Sequence, residues 1–254
     1  MSTAARRAET LAALRPYIER ARSFSGWSHD LTVRHLLPLP PWDYEALARE
    51  AMLAAGRVLD LGTGGGEVLS RVIAGSGVRC VATEEWVVNA PVARDRLAPV
   101  GADVVRCDSL RLPLRGATFD LVLDRHEALD PAEVARVLRA GGHVITQQVG
   151  PDNWPELRRF FPRKTEFGDH FNAYQRGLAG AGLVVDDARW HEERVAFDEL
   201  GDIVYVLLVA PWDVPDFDPV GEIDTLLALD DAFRTDQGIV LTETRYIIRA
   251  HCRA

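Results

Sequence analysis

A glycine-rich run from Asp60 to Gly66 is the segment with the clearest chemical meaning in this 254-residue sequence. Glycines at positions 62, 64 and 66 permit positive φ angles and let a ligand approach the backbone without a Cβ in the way. Apolar residues on both sides predict a strand entering the run and a helix leaving it, whose first N–H groups are free to meet a ligand. The run therefore predicts a ligand-binding turn.

The spacing of the glycines argues against a dinucleotide as that ligand. The dinucleotide fingerprint is G-x-G-x-x-G, and read from Gly62 its third glycine would fall at Glu67. A carboxylate at that place would face a pyrophosphate unfavourably. The sequence therefore disfavours an NAD-dependent oxidoreductase.

Two acidic residues, Glu84 and Glu85, follow the second predicted strand, Val78 to Thr83. In nucleotide-binding folds an acidic side chain at this place accepts hydrogen bonds from ribose hydroxyls. Glu84 is favoured because it directly follows the apolar run, and Glu85 is the alternative. Trp86 is close enough to cover an adenine ring, and it suits a core position equally well.

The exit of the fourth predicted strand, Phe119 to Leu123, brings Asp124, His126 and Glu127 together. Histidine has an ordinary pKa suited to general-base chemistry, and a neighbouring carboxylate can orient it. We predict His126 and Glu127 as the catalytic residues and assign Asp124 to the cofactor site. A loop histidine that only hydrogen-bonds the backbone is the alternative reading.

The pattern D-x-G-x-G-x-G over Asp60 to Gly66 resembles motif I of the class I S-adenosylmethionine (SAM)-dependent methyltransferases. Two later stretches resemble the same family, one from Cys107 to Val122 and one at the predicted helix-to-strand joint from Ala135 to Val144. Together they cover about residues 57–147. The resemblance implies a Rossmann-like fold, SAM as the cofactor and methyl transfer as the activity.

The resemblance also implies roles for single residues. In the family, the aspartate of the second stretch takes the adenine amino group and the next backbone N–H meets a ring nitrogen, which implies Asp108 and Ser109 here. No histidine or cysteine spacing suggests a metal site. The predicted cofactor-binding set is Asp60, Gly62, Thr63, Gly64, Gly66, Glu84, Glu85, Trp86, Asp108, Ser109 and Asp124.

The alternation of strands and helices after Arg57 predicts an α/β fold with a doubly wound, mostly parallel, seven-stranded sheet. We expect a single domain over 1–254. It consists of a helical N-terminal cap over 1–54, a SAM-binding core over 55–198, an insertion or lid over 199–238 and a last strand within 239–254. Pro16 is expected to kink or divide the first helix. The third strand is expected from Val104 to Cys107.

Composition narrows the classes of partner. The formal net charge is −9, and a negative surface repels phosphate backbones, which disfavours nucleic acid. The sequence shows no apolar stretch typical of a secretory signal or a membrane span. The three cysteines form no CxxC pair and suit a reducing compartment. We expect a cytoplasmic protein without membrane contact, and the sequence predicts no oligomeric state.

The expected function is methyl transfer from SAM to an oxygen or nitrogen of a small molecule. Trp27, Trp42 and Trp212 lie in the predicted cap and lid, where they could line an apolar substrate pocket or pack against the core. One alternative is an rRNA methyltransferase, because Gly141 to Leu157 loosely resembles the guanine-N1 rRNA methyltransferases. Those enzymes carry a cysteine-rich zinc module that this sequence lacks. The other alternative is a SAM-binding regulatory protein that does not catalyse.

Overall fold

The computed structural model describes residues 2–27, 31, 33–36 and 38–253. Positions 1, 28–30, 32 and 37 of the predicted cap and position 254 of the last predicted segment lie outside the described residues.

Strands and helices alternate through the middle of the chain, as the apolar pattern predicts. Two short 3₁₀ turns, Ala98–Val100 and Pro155–Arg159, join them. The elements are α1 Thr3–Arg22, β1 Val33–Leu36, α2 Tyr44–Leu53, β2 Arg57–Leu61, α3 Glu67–Ile73, β3 Arg79–Thr83, α4 Asn89–Leu97, β4 Ala102–Val105, β5 Phe119–Arg125, α5 Pro131–Val137, β6 Leu138–Val149, α6 His170–Gly180, β7 Leu183–Phe197, α7 Leu200–Val209, α8 Ile223–Phe233, β8 Arg234–Thr235 and β9 Gly238–Cys252.

Over the described residues the sheet has nine strands rather than the seven expected from the sequence. Its order is β1-β7-β9-β6-β5-β2-β3-β4, and β8 pairs with β9 alone. The strands from β2 to β6 run parallel, while β9 is antiparallel to both β6 and β7. The two unexpected strands are β1, a four-residue edge strand next to prolines, and β8, a two-residue hairpin arm. Strands this short carry too few residues to show a period of two.

Two local expectations differ from the structure. Pro16 does not divide the first helix, because α1 continues through it from Thr3 to Arg22. Leu14 on the same helix is buried in the core beneath α7, and this packing offsets the lost backbone hydrogen bond. The third strand of the core was expected to reach Cys107, but β4 ends at Val105 and Cys107 lies in the following loop.

Three apolar clusters surround the sheet. One packs α2, α3 and α4 against one face, and a second packs α5 and α6 against the other. The third lies under α1, α7 and α8 and includes Leu14, Ile203 and Leu226. The carboxyl ends of the parallel strands are thereby left at one open edge, where ligands bind in folds of this kind. None of the helices in the described ranges is long and apolar enough to cross a membrane.

Candidate functional site

The glycine run bends the chain sharply between β2 and α3. Gly62, Gly64 and Gly66 have φ angles of +56°, +62° and +79°, a region that residues with side chains rarely adopt. The turn is fastened to the end of β3, where the Gly62 N–H donates to Thr83 Oγ1 at 3.1 Å. A Cβ on Gly64 would lie 2.2 Å from Cδ1 of Trp27. The turn therefore has its predicted conformation and is closely covered by the segment that follows α1.

Glu84 is buried directly behind this turn, whereas Glu85 is exposed. The Gly64 N–H donates to Oε2 of Glu84 at 2.8 Å, and the Trp86 N–H donates to Oε1 at 2.9 Å. A carboxylate has about four acceptor positions, so each oxygen keeps one for a ligand hydroxyl. Burial raises the pKa of Glu84, and the two backbone hydrogen bonds oppose that rise. This placement favours Glu84 over Glu85 as the diol-binding residue.

The other predicted cofactor residues differ in their surroundings. Asp60 is buried at the end of β2, and this burial raises its pKa to about 7. Asp108 is exposed after β4 and accepts a hydrogen bond from the Leu110 N–H at 2.8 Å, which is the turn-forming arrangement. Ser109 is buried with its Oγ 3.4 Å from Thr83 Oγ1. An adenine-binding role for Asp108 and Ser109 stays a prediction.

The loop that leaves β5 is held by the last residues of β6. The His126 N–H donates to the Gln147 carbonyl at 2.8 Å. Gln148 Nε2 donates to the Glu127 carbonyl and to Asp124 Oδ2, both at 2.7 Å. These bonds hold His126 at a φ of +63°, an uncommon angle for a residue with a side chain. Asp124 is completely buried beneath the loop, and its carboxylate therefore orients the loop from below.

The two predicted catalytic residues have pKa values shifted in opposite directions. Enclosure by protein, followed by the positive charges of Arg125 and Arg245, lowers the pKa of His126 well below its ordinary value. The pKa of His126 is lowered even though its imidazole is exposed within the cavity. Burial, reinforced by nearby carboxylates such as Glu84, raises the pKa of Glu127 to about 7. Near neutral pH the imidazole is therefore uncharged, and Glu127 is poised between its two forms.

These residues open into one cavity of about 760 Å³. The cavity joins the glycine turn to the β5 exit in a single space. Within the described part of the chain, no group of three or more histidine, cysteine and acidic side chains is arranged to hold a metal ion. The predicted site residues in its wall are Asp60, Gly62, Thr63, Glu84, Glu85, Trp86, His126 and Glu127. Those behind or beside the wall are Gly64, Gly66, Asp108, Ser109 and Asp124.

Three tryptophans, Trp27, Trp86 and Trp212, cover the cavity above the glycine turn. Their ring centroids are 5.8 Å (Trp27–Trp86), 6.0 Å (Trp27–Trp212) and 5.5 Å (Trp86–Trp212) apart. They come from three different connections, after α1, β3 and α7. Trp42 is absent from the cavity wall and donates from Nε1 to Gln147 Oε1 at 2.8 Å. Of the three tryptophans that could line a pocket or pack against the core, Trp27 and Trp212 lie in the cavity wall.

Sequence reasoning missed several residues on the far side of the cavity. Arg125 and Arg245 line it near His126, and Tyr174 and Tyr246 add aromatic surface. Lys164, the only lysine of the sequence, is buried in the wall as an ion pair with Asp213. Arg125 stands next to His126 in the sequence and could have been found by that position. The others belong to no recognisable motif, because elements far apart in the chain bring them here.

Comparison with known families identifies the core of the chain. Residues 59–146 match the methyltransferase domain family. This stretch contains the glycine turn, Glu84, the β5 exit and most of β6. No curated protein matches the sequence as a whole.

Solved structures share the fold at low sequence identity. A functionally unknown protein from Deinococcus radiodurans R1 superposes with a TM-score of 0.61 and 21% identity, over 93% of this chain and 98% of that one. A proposed methyltransferase from Bacillus halodurans C-125 gives 0.60 and 18%, over 83% and 99%. The [4+2]-cyclase SpnF gives 0.54 and 16%, over 95% and 93%. These likenesses show a Rossmann-like methyltransferase fold over most of the chain.

Proposed function

We propose that this chain, whose residues 59–146 match the methyltransferase domain family, transfers a methyl group from SAM to an oxygen or nitrogen of a small molecule held in the cavity of about 760 Å³. One observation carries the proposal. The glycine turn and Glu84 open into the same space as His126 and Glu127, so a cofactor at the turn and an acceptor at the β5 exit would meet there. Placing two reactants in one enclosed site is itself a large source of rate enhancement.

The residues around the turn fit SAM in shape and charge. Gly62 and Thr63 bring the backbone of the turn into the cavity wall, which suits close approach of a ligand to the backbone. Asp60, Glu84 and Glu127 place acidic groups along this side of the cavity, and SAM carries an ammonium and a sulfonium. Glu84 would hold the ribose hydroxyls through its remaining acceptor positions. When bound, SAM supplies a methyl group on a positively charged sulfur.

Glu127 suits the role of general base, which removes the proton of the acceptor atom, better than His126 does. A general base works best when its pKa lies near the working pH. The pKa of Glu127 is raised to about 7, whereas that of His126 is lowered well below its ordinary value. The sequence favoured His126 as the base with Glu127 beside it. We now assign proton acceptance to Glu127, with the neutral His126 bordering the acceptor and helping to exclude water.

The shape of the cavity supports a small-molecule acceptor over rRNA. The cavity is recessed beneath Trp27, Trp86 and Trp212, and the protein carries a net charge of −9. An extended phosphate backbone favours a basic open surface instead. Aromatic walls with a few placed polar groups are typical of small-molecule sites.

The test is transfer of labelled methyl from SAM into cell extract separated into metabolite, protein and RNA fractions. We expect label in the metabolite fraction, and none with a Glu84→Ala variant at low SAM concentration. Label in RNA alone would favour the rRNA alternative. Tight SAM binding with no transfer into any fraction would favour a non-catalytic SAM-binding protein.

A further inference from the structure

The cavity is divided by charge, and its basic half has no assigned ligand. The half at the glycine turn carries Asp60, Glu84, Glu85 and Glu127. Arg125 and Arg245 line the same cavity at the end of β5 and on β9, together with His126 and with Glu243, the ion-pair partner of Arg245. The acidic half matches the positive charges of SAM. The basic half requires a different explanation.

Sheet register brings the two arginines to one place. Arg125 is the last residue of β5 and lies opposite Gln147 of β6, which lies opposite Ile247 of β9. Arg245 is two residues from Ile247 on β9, so its side chain is on the same face. Two strand spacings, about 10 Å, separate β5 from β9. Long arginine side chains can reach one small ligand across that distance.

Arg125 acts on acidic groups through space and without contact: its positive charge opposes the rise in the pKa of Asp60. Across the described residues, no hydrogen bond or ion pair joins the Arg125 side chain to another group, although it stands in the cavity wall. Glu45 on α2 also acts on Arg125 by its charge. This carboxylate already accepts a hydrogen bond from Arg71 Nε at 3.0 Å. Tyr44 of the same helix is fully enclosed, and this burial raises its pKa well above the ordinary value, so it stays neutral.

Arg245 keeps donors free for a ligand. Its Nη2 donates to Glu243 Oε2 at 2.6 Å, while a guanidinium offers five N–H groups. Arg125 and Arg245 are close enough that the charge of Arg245 lowers the pKa of Arg125, after the larger effect of enclosure. Arg125 is exposed within the cavity, and Arg245 is ion-paired with the buried Glu243 on one side only. An anion entering the cavity could therefore meet guanidinium N–H groups of both arginines.

We propose that the acceptor substrate is a small organic anion, whose carboxylate or phosphate group is bound by Arg125 and Arg245 while its nucleophilic atom points toward Glu127. The proposal rests on the function proposed above and names its substrate class. Arg125 next to the β5 exit would then set the distance between the anionic group and the methylated atom. Arginine suits such a role because its planar fork binds oxyanions through paired hydrogen bonds.

The test measures binding of three related probes to the full chain by ligand-observed NMR: benzoate, phenyl phosphate and neutral benzyl alcohol. We expect at least one of the two anions to bind about tenfold or more tightly than benzyl alcohol, as hydrogen bonds to a charged group imply. Which anion binds better distinguishes a carboxylate from a phosphate substrate. Equal or weaker binding of both anions would overturn the proposal.

Two variants test whether the preference for the anionic probes arises at Arg125 and Arg245. Arg125→Gln should abolish the preference for the anion, and Arg57→Gln, an exposed arginine at the start of β2 on the opposite edge of the sheet, should retain it. A preference that survives Arg125→Gln would also overturn the proposal. If Arg125→Gln does not fold, Arg245→Gln replaces it with the same expected loss.

Calorimetry with S-adenosylhomocysteine separates this proposal from the one on which it rests. Arg125→Gln should bind that product as the unchanged protein does, which also shows that the variant is folded. If the unchanged protein fails to bind the product but still prefers anions, the methyltransferase function fails and the anion site stands. If the unchanged protein binds the product without preferring anions, the methyltransferase function stands and the anion site fails.

Discussion

The two halves of the cavity differ both in charge and in how the chain builds them. The acidic half comes from the ends of β2 and β3 and the turn between β2 and α3, so most of it lies within residues 60–86. The basic half combines Arg125 with Arg245, which are 120 positions apart and meet through the pairing of β5, β6 and β9. A local motif therefore encodes the first half, and only the sheet register encodes the second.

The difference also has an energetic side. In the acidic half, burial raises the pKa of Asp60 and Glu127 to about 7 and raises that of Glu84. Ionised carboxylates crowded in this way destabilise the protein without a ligand, and a cation would relieve them. In the basic half, Glu243 offsets the charge of Arg245, and Arg125 is exposed within the cavity. Four substitutions test the glycine turn and the acidic half, and the arginine variants described above test the basic half.

Gly64→Val should have the largest effect, with loss of measurable SAM binding. A valine at a φ of +62° is strained, and its side chain would collide with Trp27, so both the glycine turn and its cover would have to move. Calorimetry measures the affinity. Gly75→Val is the matched control, because Gly75 has a φ of +73° with nothing within 4 Å of its Cβ position. Unchanged affinity in a folded Gly64→Val protein would contradict the cofactor site.

Glu127→Gln should lower kcat by about 10²–10⁴-fold, the range for loss of a general base. Because the pKa of Glu127 is raised to about 7, kcat/KM, which reports the free enzyme, should rise with pH through about 7 and then level off. His126, whose pKa is lowered well below its ordinary value, would give a rate already flat in that range. A larger loss in His126→Ala with a flat profile would return the base to His126.

Glu84→Ala should weaken SAM binding by about 1.5–3 kcal/mol, the range for hydrogen bonds to a charged group. Glu85→Ala serves as the control, since Glu85 is exposed and no described hydrogen bond ties it to the glycine turn. Calorimetry on both variants measures the difference. If Glu85→Ala is the damaging change, the register of the acidic half is shifted by one residue.

Asp60→Asn should have the smallest effect, a gain in stability on the order of 1–2 kcal/mol at pH 8. The folded pKa of about 7 lies above the unfolded value, so the folded protein binds this proton more tightly. The favourable contribution is complete below about pH 4 and is lost as pH rises through 7. The gain should therefore vanish at pH 4. Denaturant unfolding at both pH values measures it, with exposed Asp103→Asn as a control that shows no such difference.

Much of the acidic half of the cavity follows from the sequence, because glycine conformations and strand ends are local properties. The turn at residues 62–66, the burial of Glu84 and the parallel core strands agree with their patterns. The strand count was wrong by two, since β1 and β8 exist only through pairing with β7 and β9. The position of Asp124, completely buried beneath the loop, also depends on the Thr146 and Gln148 side chains that reach it from β6.

What the sequence alone determined is the fold class, the glycine turn and the likeness of residues 59–146 to the methyltransferase domain family, since each depends on residues close together in the chain. The tertiary structure decided which side chains face the cavity and how their pKa values are shifted. Arg245 reaches the cavity only because β9 inserts between β6 and β7. The opposite pKa shifts of His126 and Glu127 arise from enclosure and from charges on other strands. Packing and electrostatics act through space, and a linear pattern of residues does not record the distances on which they depend.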